Sequence, residues 1–241
     1  MIEAFLPQGS TYAGDIDLLV NVILWIVGVW FIISEVVFFW LIFKFRARDG
    51  VEGQYITGEE KSQKRWITIP HALVLVCDIF LVVGAIWVWV AIKQDLPPAE
   101  AEVRLISQQW AWTFIHEGPD GKLDTADDIR TINELHVQAD TLYHYKLESL
   151  DVIHDFSVPV WRLKQDAIPG RIITGWFEPT LTSDNSKTGY WDIQCAEICG
   201  VGHALMGGKV FVKSKADYAA WVAENSSVSL ASADAPVGGG Q

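Results

Sequence analysis

The sequence predicts a two-helix transmembrane hairpin followed by an all-β sandwich domain outside the membrane. Three observations carry that prediction. Two apolar runs lie within the first 92 residues, a basic connector joins them, and short β-rich runs separated by turn clusters follow. The chain has 241 residues, a mean hydropathy of +0.21 and 12 Trp. A net charge of −12 excludes nucleic acid as a partner, since that binding needs a basic patch.

Residues 1–17 form an outside N-terminal segment with three acids and no Lys or Arg. Its opening, MIEAFLPQGS, lacks the basic n-region and small-residue cleavage site of a signal peptide, which is either absent or already removed. Residues 18–43 are apolar except for Glu35, and residues 66–92 carry only Asp78. A helix rising about 1.5 Å per residue needs about 20 residues to cross roughly 30 Å of hydrocarbon, so both runs are read as spans rather than buried core helices. The connector 44–65 holds Lys44, Arg46, Arg48, Lys61, Lys64 and Arg65, which places it in the cytoplasm and both termini outside. Charges inside spans are functional candidates, so Glu35 and Asp78 face a partner or pair with a neighbour.

Residues 93–225 are the outside domain, opened by Pro97-Pro98; residues 226–241 are expected to be a flexible tail with too little apolar surface to fold. Strand-like runs occur at 103–115, 142–147, 152–158, 171–177 and 208–212, with turn clusters at 118–128 and 182–189. A short helix is predicted over 215–225. The run Asp120, Asp124, Asp127, Asp128 lacks an EF-hand pattern and is read as a solvated hairpin tip rather than a calcium loop.

The chemistry concentrates in Cys195-Ala-Glu-Ile-Cys199-Gly-Val-Gly-His203-Ala-Leu-Met206. Two thiols, an imidazole and a thioether within twelve residues form a soft-ligand set of the kind that selects copper. A Cys195–Cys199 disulfide and a zinc site are the competing readings. One further ligand is needed, and spacing alone does not choose among His116, His136, His144 and His154. The chain has no CxxCH, so no covalent haem is expected on it.

The pattern C-x-E-x-C-G-x-x-H-x-x-M, with DVIHDFSVP at 151–159 and KQDAIPGR at 164–171, resembles subunit II of haem–copper cytochrome c oxidases. The resemblance covers the whole architecture and implies a Greek-key, cupredoxin-like sandwich. It implies a dinuclear copper centre, CuA, with Cys195 and Cys199 bridging, His154, His203 and Met206 as terminal ligands, and Glu197 contributing its carbonyl. The glutamate's side chain would hold Mg or Mn at the interface with subunit I. His71, His116, His136 and His144 are then polar core or surface residues.

Gln109-Trp110-Ala111-Trp112 is similar to the family's aromatic segment, which implies that electrons enter at Trp110 from cytochrome c or a similar soluble carrier. Two tryptophans merely packed on a sheet is the bland alternative. Asp151 is the first acid to name for attracting a basic carrier. The family's proton-uptake glutamate is replaced by Gln63, with Glu59 and Glu60 upstream, so that role is not carried over.

The resemblance implies a subunit of an oxygen-reducing, proton-translocating oxidase, with haem on subunit I only. Its partners would be subunit I, other oxidase subunits and membrane lipid. It would sit in the bacterial inner membrane with both termini and the copper domain on the periplasmic side. A copper-free quinol-oxidase subunit lacks the six ligand positions filled here. A tethered assembly module would not need the 164–171 or Trp110 segments.

Overall fold

The computed structural model describes residues 2–53 and 55–233, which divide into two compact units, Asp15–Ala91 and Met1–Gly14 with Ile92–Gln241. The first holds helices α1 (Ala13–Lys44) and α2 (Lys61–Trp89), which enclose the expected spans 18–43 and 66–92. Within their apolar windows 0% and 6% of residues are buried, so these are not core helices of a soluble fold. Both are long and apolar enough to cross a membrane. Gln63, at the start of α2, accepts a hydrogen bond from the Gly58 N–H at 2.9 Å.

The second unit contains ten strands: β1 Ala101–Gln108, β2 Ala111–His116, β3 Ile129–Ile132, β4 Glu134–Gln138, β5 Tyr143–Ser149, β6 His154–Val158, β7 Leu163–Ala167, β8 Ile173–Phe177, β9 Trp191–Cys195 and β10 Gly207–Lys213. They form two five-stranded sheets, ordered β3-β2-β1-β5-β8 and β4-β10-β9-β6-β7. The pairs β1/β5 and β4/β10 are parallel and the others antiparallel. This is the cupredoxin-like sandwich that the sequence led us to expect.

Period-2 alternation explains which faces meet. On β1, Val103, Leu105 and Ser107 point inward, and on β5, Tyr143, Tyr145, Leu147 and Ser149 do so. The facing sheet supplies Phe156, Val158, Ile193 and Val210. Each fully buried large apolar side chain contributes about 1.5–3 kcal/mol, which makes this layer the rigid support of the loops at its end.

Two expectations are corrected here. The run 103–115 is two antiparallel strands rather than one, with Gln109–Trp110 forming the two-residue connection between Gln108 and Ala111. The C-terminal helix α3 spans Lys215–Ala233, so it continues past residue 225 into the segment expected to be tail; residues 234–241 of that tail lie outside the described residues.

The segment before α1 is bonded to the sandwich. Ser10 Oγ–H donates to the Trp161 carbonyl (2.7 Å), Gly9 N–H to Val160 (2.8 Å), and Thr180 N–H to Gly9 (2.9 Å). Arg162 donates to the carbonyls of Leu6 and Pro7, and the Tyr12 ring packs edge-on against Trp176. Gly9 is required at this crossing, since a Cβ would stand 2.8 Å from Val160 Cγ2.

Candidate metal centre

The register of two neighbouring strands builds the site. Phe156 on β6 faces Cys195 on β9, which brings the start of β6, at His154, beside the end of β9. The segment 196–206 then folds back, with Cys195 N–H donating to the Met206 carbonyl at 3.1 Å to close its base. Gly200 turns the chain at φ +115°, a backbone conformation that disfavours side chains, and a 3-10 turn at His203–Leu205 follows.

Six donor atoms converge as a result. His154 Nδ1 lies 3.9 Å from Cys195 Sγ, which is 3.3 Å from the Glu197 carbonyl and 3.7 Å from Cys199 Sγ. Cys199 Sγ is in turn 3.6 Å from His203 Nδ1 and 3.7 Å from Met206 Sδ. His154, Cys195, Cys199 and Met206 are all buried.

Two sulfurs each bonded to one metal at about 2.3 Å can be at most about 4.6 Å apart, so these separations fit ligands sharing metal ions. Both cysteines are free thiols. Burial, and then the adjacent Cys195 thiol, pushes the Cys199 thiol up to about 11, so a metal must displace its proton.

Among the described residues, the one group of three or more His, Cys, Asp or Glu placed to hold a metal is His154, Cys195 and Cys199, their donor atoms within 4.8 Å of one another. The remaining histidines are occupied elsewhere. His116 Nε2 meets Thr131 Oγ1, His136 is stacked between Phe211 and Trp221, His144 bonds the Pro97 carbonyl, and His71 bonds the Ile67 carbonyl. At the hairpin tip the acids serve local bonds: Asp127 accepts from Thr125 and Asp120, and Asp124 pairs with Arg104.

Trp110 sits directly against the donor loop. Its indole Nε1–H donates to the Cys199 carbonyl at 3.1 Å, and the Gln109 amide donates to the same oxygen at 2.8 Å. The indole face lies on Gly202, where a Cβ would stand 2.4 Å from Trp110 Cδ2. Trp110 nonetheless remains 39% exposed. Trp112 is fully buried, its ring 6.2 Å from that of His154.

Sequence reasoning missed Gln109 and the reason for glycine at 202. A glycine three residues after a pattern cysteine is a weak signal until the facing tryptophan is known. Asp155 was also missed. It is buried beside His154 and opposite Asp166, and burial, followed by that carboxyl, pushes its pKa up to about 7.

Comparison with known proteins places this geometry. Residues 115–214 match the family described as cytochrome c oxidase subunit II, periplasmic domain. The alternative cytochrome c oxidase subunit 2 of Bradyrhizobium diazoefficiens is 30% identical over 238 residues, covering 88% of this chain and 81% of that protein. Cytochrome c oxidase subunit 2 of Cereibacter sphaeroides is 26% identical over 251 residues, covering 90% and 78%. Among solved structures, the periplasmic domain of cytochrome oxidase subunit II from Bradyrhizobium japonicum is 26% identical with a TM-score of 0.47, covering 56% of this chain and 99% of that domain. With its ligand pattern, its membrane helices and a relative matched along most of both chains, the protein belongs to the cytochrome c oxidase subunit II family.

Proposed function

We propose that this chain receives electrons from a soluble carrier such as cytochrome c and delivers them to haem in subunit I, where oxygen is reduced to water with proton translocation. The observation that carries the reading is the cluster of six donors, in which His154 and the Glu197 carbonyl lie within 3.9 Å of Cys195 Sγ, His203 and Met206 within 3.7 Å of Cys199 Sγ, and the two sulfurs 3.7 Å apart. Thiolate, thioether and imidazole donors select copper over hard cations. Cys195, Cys199, His154, His203, Met206 and the Glu197 carbonyl would hold copper, which would supply one-electron transfer there.

The protein's part is to hold and insulate. Cys195 ends β9 and Met206 directly precedes β10, and the sandwich fixes them as a rigid scaffold should. Trp110 is exposed on one side and hydrogen-bonded to the Cys199 peptide on the other, which supports it as the place where electrons enter. Ile198, Val201 and Leu205 stand exposed on the same loop, giving a carrier an apolar footing. The Glu197 carboxylate is left for Mg or Mn at the subunit I interface. The hydrogen bonds from the N-terminal segment to the sandwich support placing both on one side of the membrane, opposite the basic connector 44–65. That side is the periplasm of a bacterial inner membrane.

The test is electron paramagnetic resonance with a copper count on the full chain in detergent. Two coppers sharing one unpaired electron are expected, with the signal lost in Cys199→Ala. Trp110→Phe should keep that signal and slow electron uptake at least tenfold. One copper with a mononuclear spectrum, or zinc, would overturn the reading.

A further inference from the structure

We infer that Asp151 is a positioning residue, a single carboxylate that holds both the metal ligand His154 and the Gln109–Trp110 segment, and so fixes the indole relative to the metal centre. The inference rests on the function proposed above. Oδ1 of Asp151 accepts from His154 Nε2–H at 2.8 Å and from Val152 N–H at 2.6 Å, while Oδ2 accepts from Gln109 N–H at 2.7 Å. Three N–H donors from three residues pin the carboxylate's plane.

Each bond has a separate consequence. His154 is fully buried, so the acceptor at Nε2 sets its tautomer. A proton on Nε2 leaves the Nδ1 lone pair facing Cys195 Sγ, the direction in which a metal would lie. A carboxylate behind a ligating imidazole also raises its basicity. The bond to Gln109 anchors the peptide just before Trp110, while the indole and the Gln109 amide both bond the Cys199 carbonyl. Trp110 is therefore tied to the site at two points, once through Cys199 and once through Asp151 to His154. The sequence offered Asp151 as an acid for attracting a carrier. In the structure both its oxygens are engaged by these donors, although the side chain is still 30% exposed.

The test compares Asp151→Ala and the isosteric Asp151→Asn with wild type, using the full chain in detergent. In copper-free protein, nitrogen-15 shifts of the His154 ring should report the Nε2–H tautomer in wild type and its loss or mixing in Asp151→Ala. In copper-loaded protein, both variants should shift the copper hyperfine pattern and visible absorption. Electron uptake at saturating carrier should fall 10–100-fold, the range usual for partners behind metal ligands, with the carrier's KM and ionic-strength dependence unchanged. If Asp151→Ala fails to fold, Asp151→Asn retains one acceptor oxygen and carries the same readouts.

Unchanged histidine shifts and an unchanged copper spectrum, with a raised KM and a flatter salt dependence, would make Asp151 a docking acid and overturn the inference. Failure of wild-type protein to bind two coppers would instead refute the parent reading. The metal-free histidine measurement stands independent of that outcome.

Discussion

Replacing Gly202 by alanine isolates the contact between the donor loop and Trp110. Gly202 has φ −89° and ψ 5°, which alanine tolerates, so the backbone adds no penalty of its own. The new methyl would lie 2.4 Å from Trp110 Cδ2, 2.7 Å from Cγ and 2.8 Å from Cε3. Carbon atoms rest at about 3.5–4.0 Å, so the ring must retreat by about 1 Å or the loop must lift by as much. Either movement disturbs the 3.1 Å bond from Nε1–H to the Cys199 carbonyl. Overpacking of this kind costs about 1–3 kcal/mol, and a displacement of about 1 Å between reacting groups can cost up to 100-fold in rate. The assay is the indole N–H resonance of Trp110, identified by its disappearance in Trp110→Phe, together with electron uptake by copper-loaded protein. The resonance should move and uptake should slow, while the copper spectrum persists because Gly202 supplies no donor. Gly207→Ala is the matched control, since its nearest neighbour is the Ile193 carbonyl at 3.5 Å, an ordinary contact. An indole resonance and uptake rate in Gly202→Ala that match wild type would refute the contact and, with it, the route through Cys199.

Three further outcomes follow from packing away from the donors. His116 is held at about 3 and His136 at about 4, chiefly by burial, and an unfolded histidine takes its proton below about 6.5. The unfolded chain then binds more protons, so stability is lost as pH falls from about 6.5 towards those values, with His116 accounting for up to about 5 kcal/mol. Urea midpoints should drop steeply over that window and flatten in His116→Gln; a slope left unchanged by that substitution refutes the assignment. Ser10→Ala removes the buried bond to the Trp161 carbonyl and should cost about 1–2 kcal/mol, seen as faster hydrogen exchange at Gly9 and Thr11, with exchange at wild-type rates counting against the N-terminal attachment. Asn133 adopts φ +57° while its side-chain oxygen accepts from Trp112 N–H at 2.8 Å, so Asn133→Ala should lose about 2–3 kcal/mol and Asn133→Gly about 1 kcal/mol less. Equal losses in the two variants would show that backbone conformation contributes nothing there.

Which features were legible in the sequence depended on whether they were local. The spans could be read because each is a long apolar run whose only requirement is length. Strands such as β5 could be read from alternation, while β3, β4, β7 and β9, four or five residues each, were not among the runs read. Helix α3 runs into a stretch of Ser and Ala with little apolar content, so its last turns left no amphipathic signal. The donors clustered in one loop were visible for the same reason. The ligand from outside that loop could not be chosen from spacing among four histidines and came only from the family resemblance, because it is the β6–β9 pairing that puts His154 beside Cys195.

That pairing also explains why the donor loop, the tryptophan and the acid belong together. β1 and β2 join at Gln109–Trp110 in one sheet, while β6 and β9 lie side by side in the other, and their ends meet at the same edge of the sandwich. Loop positions there are set by strand register, and a one-residue slip would turn every side chain to the opposite face. The Gln109 and Trp110 bonds to Cys199, and the Asp151 bonds to Gln109 and His154, cross from one sheet's loops to the other's. They lock the two sheets together beside the donor loop. The exposed face of Trp110 is therefore fixed in position relative to the buried donors, which is the preorganisation that the proposed electron entry at this residue would require.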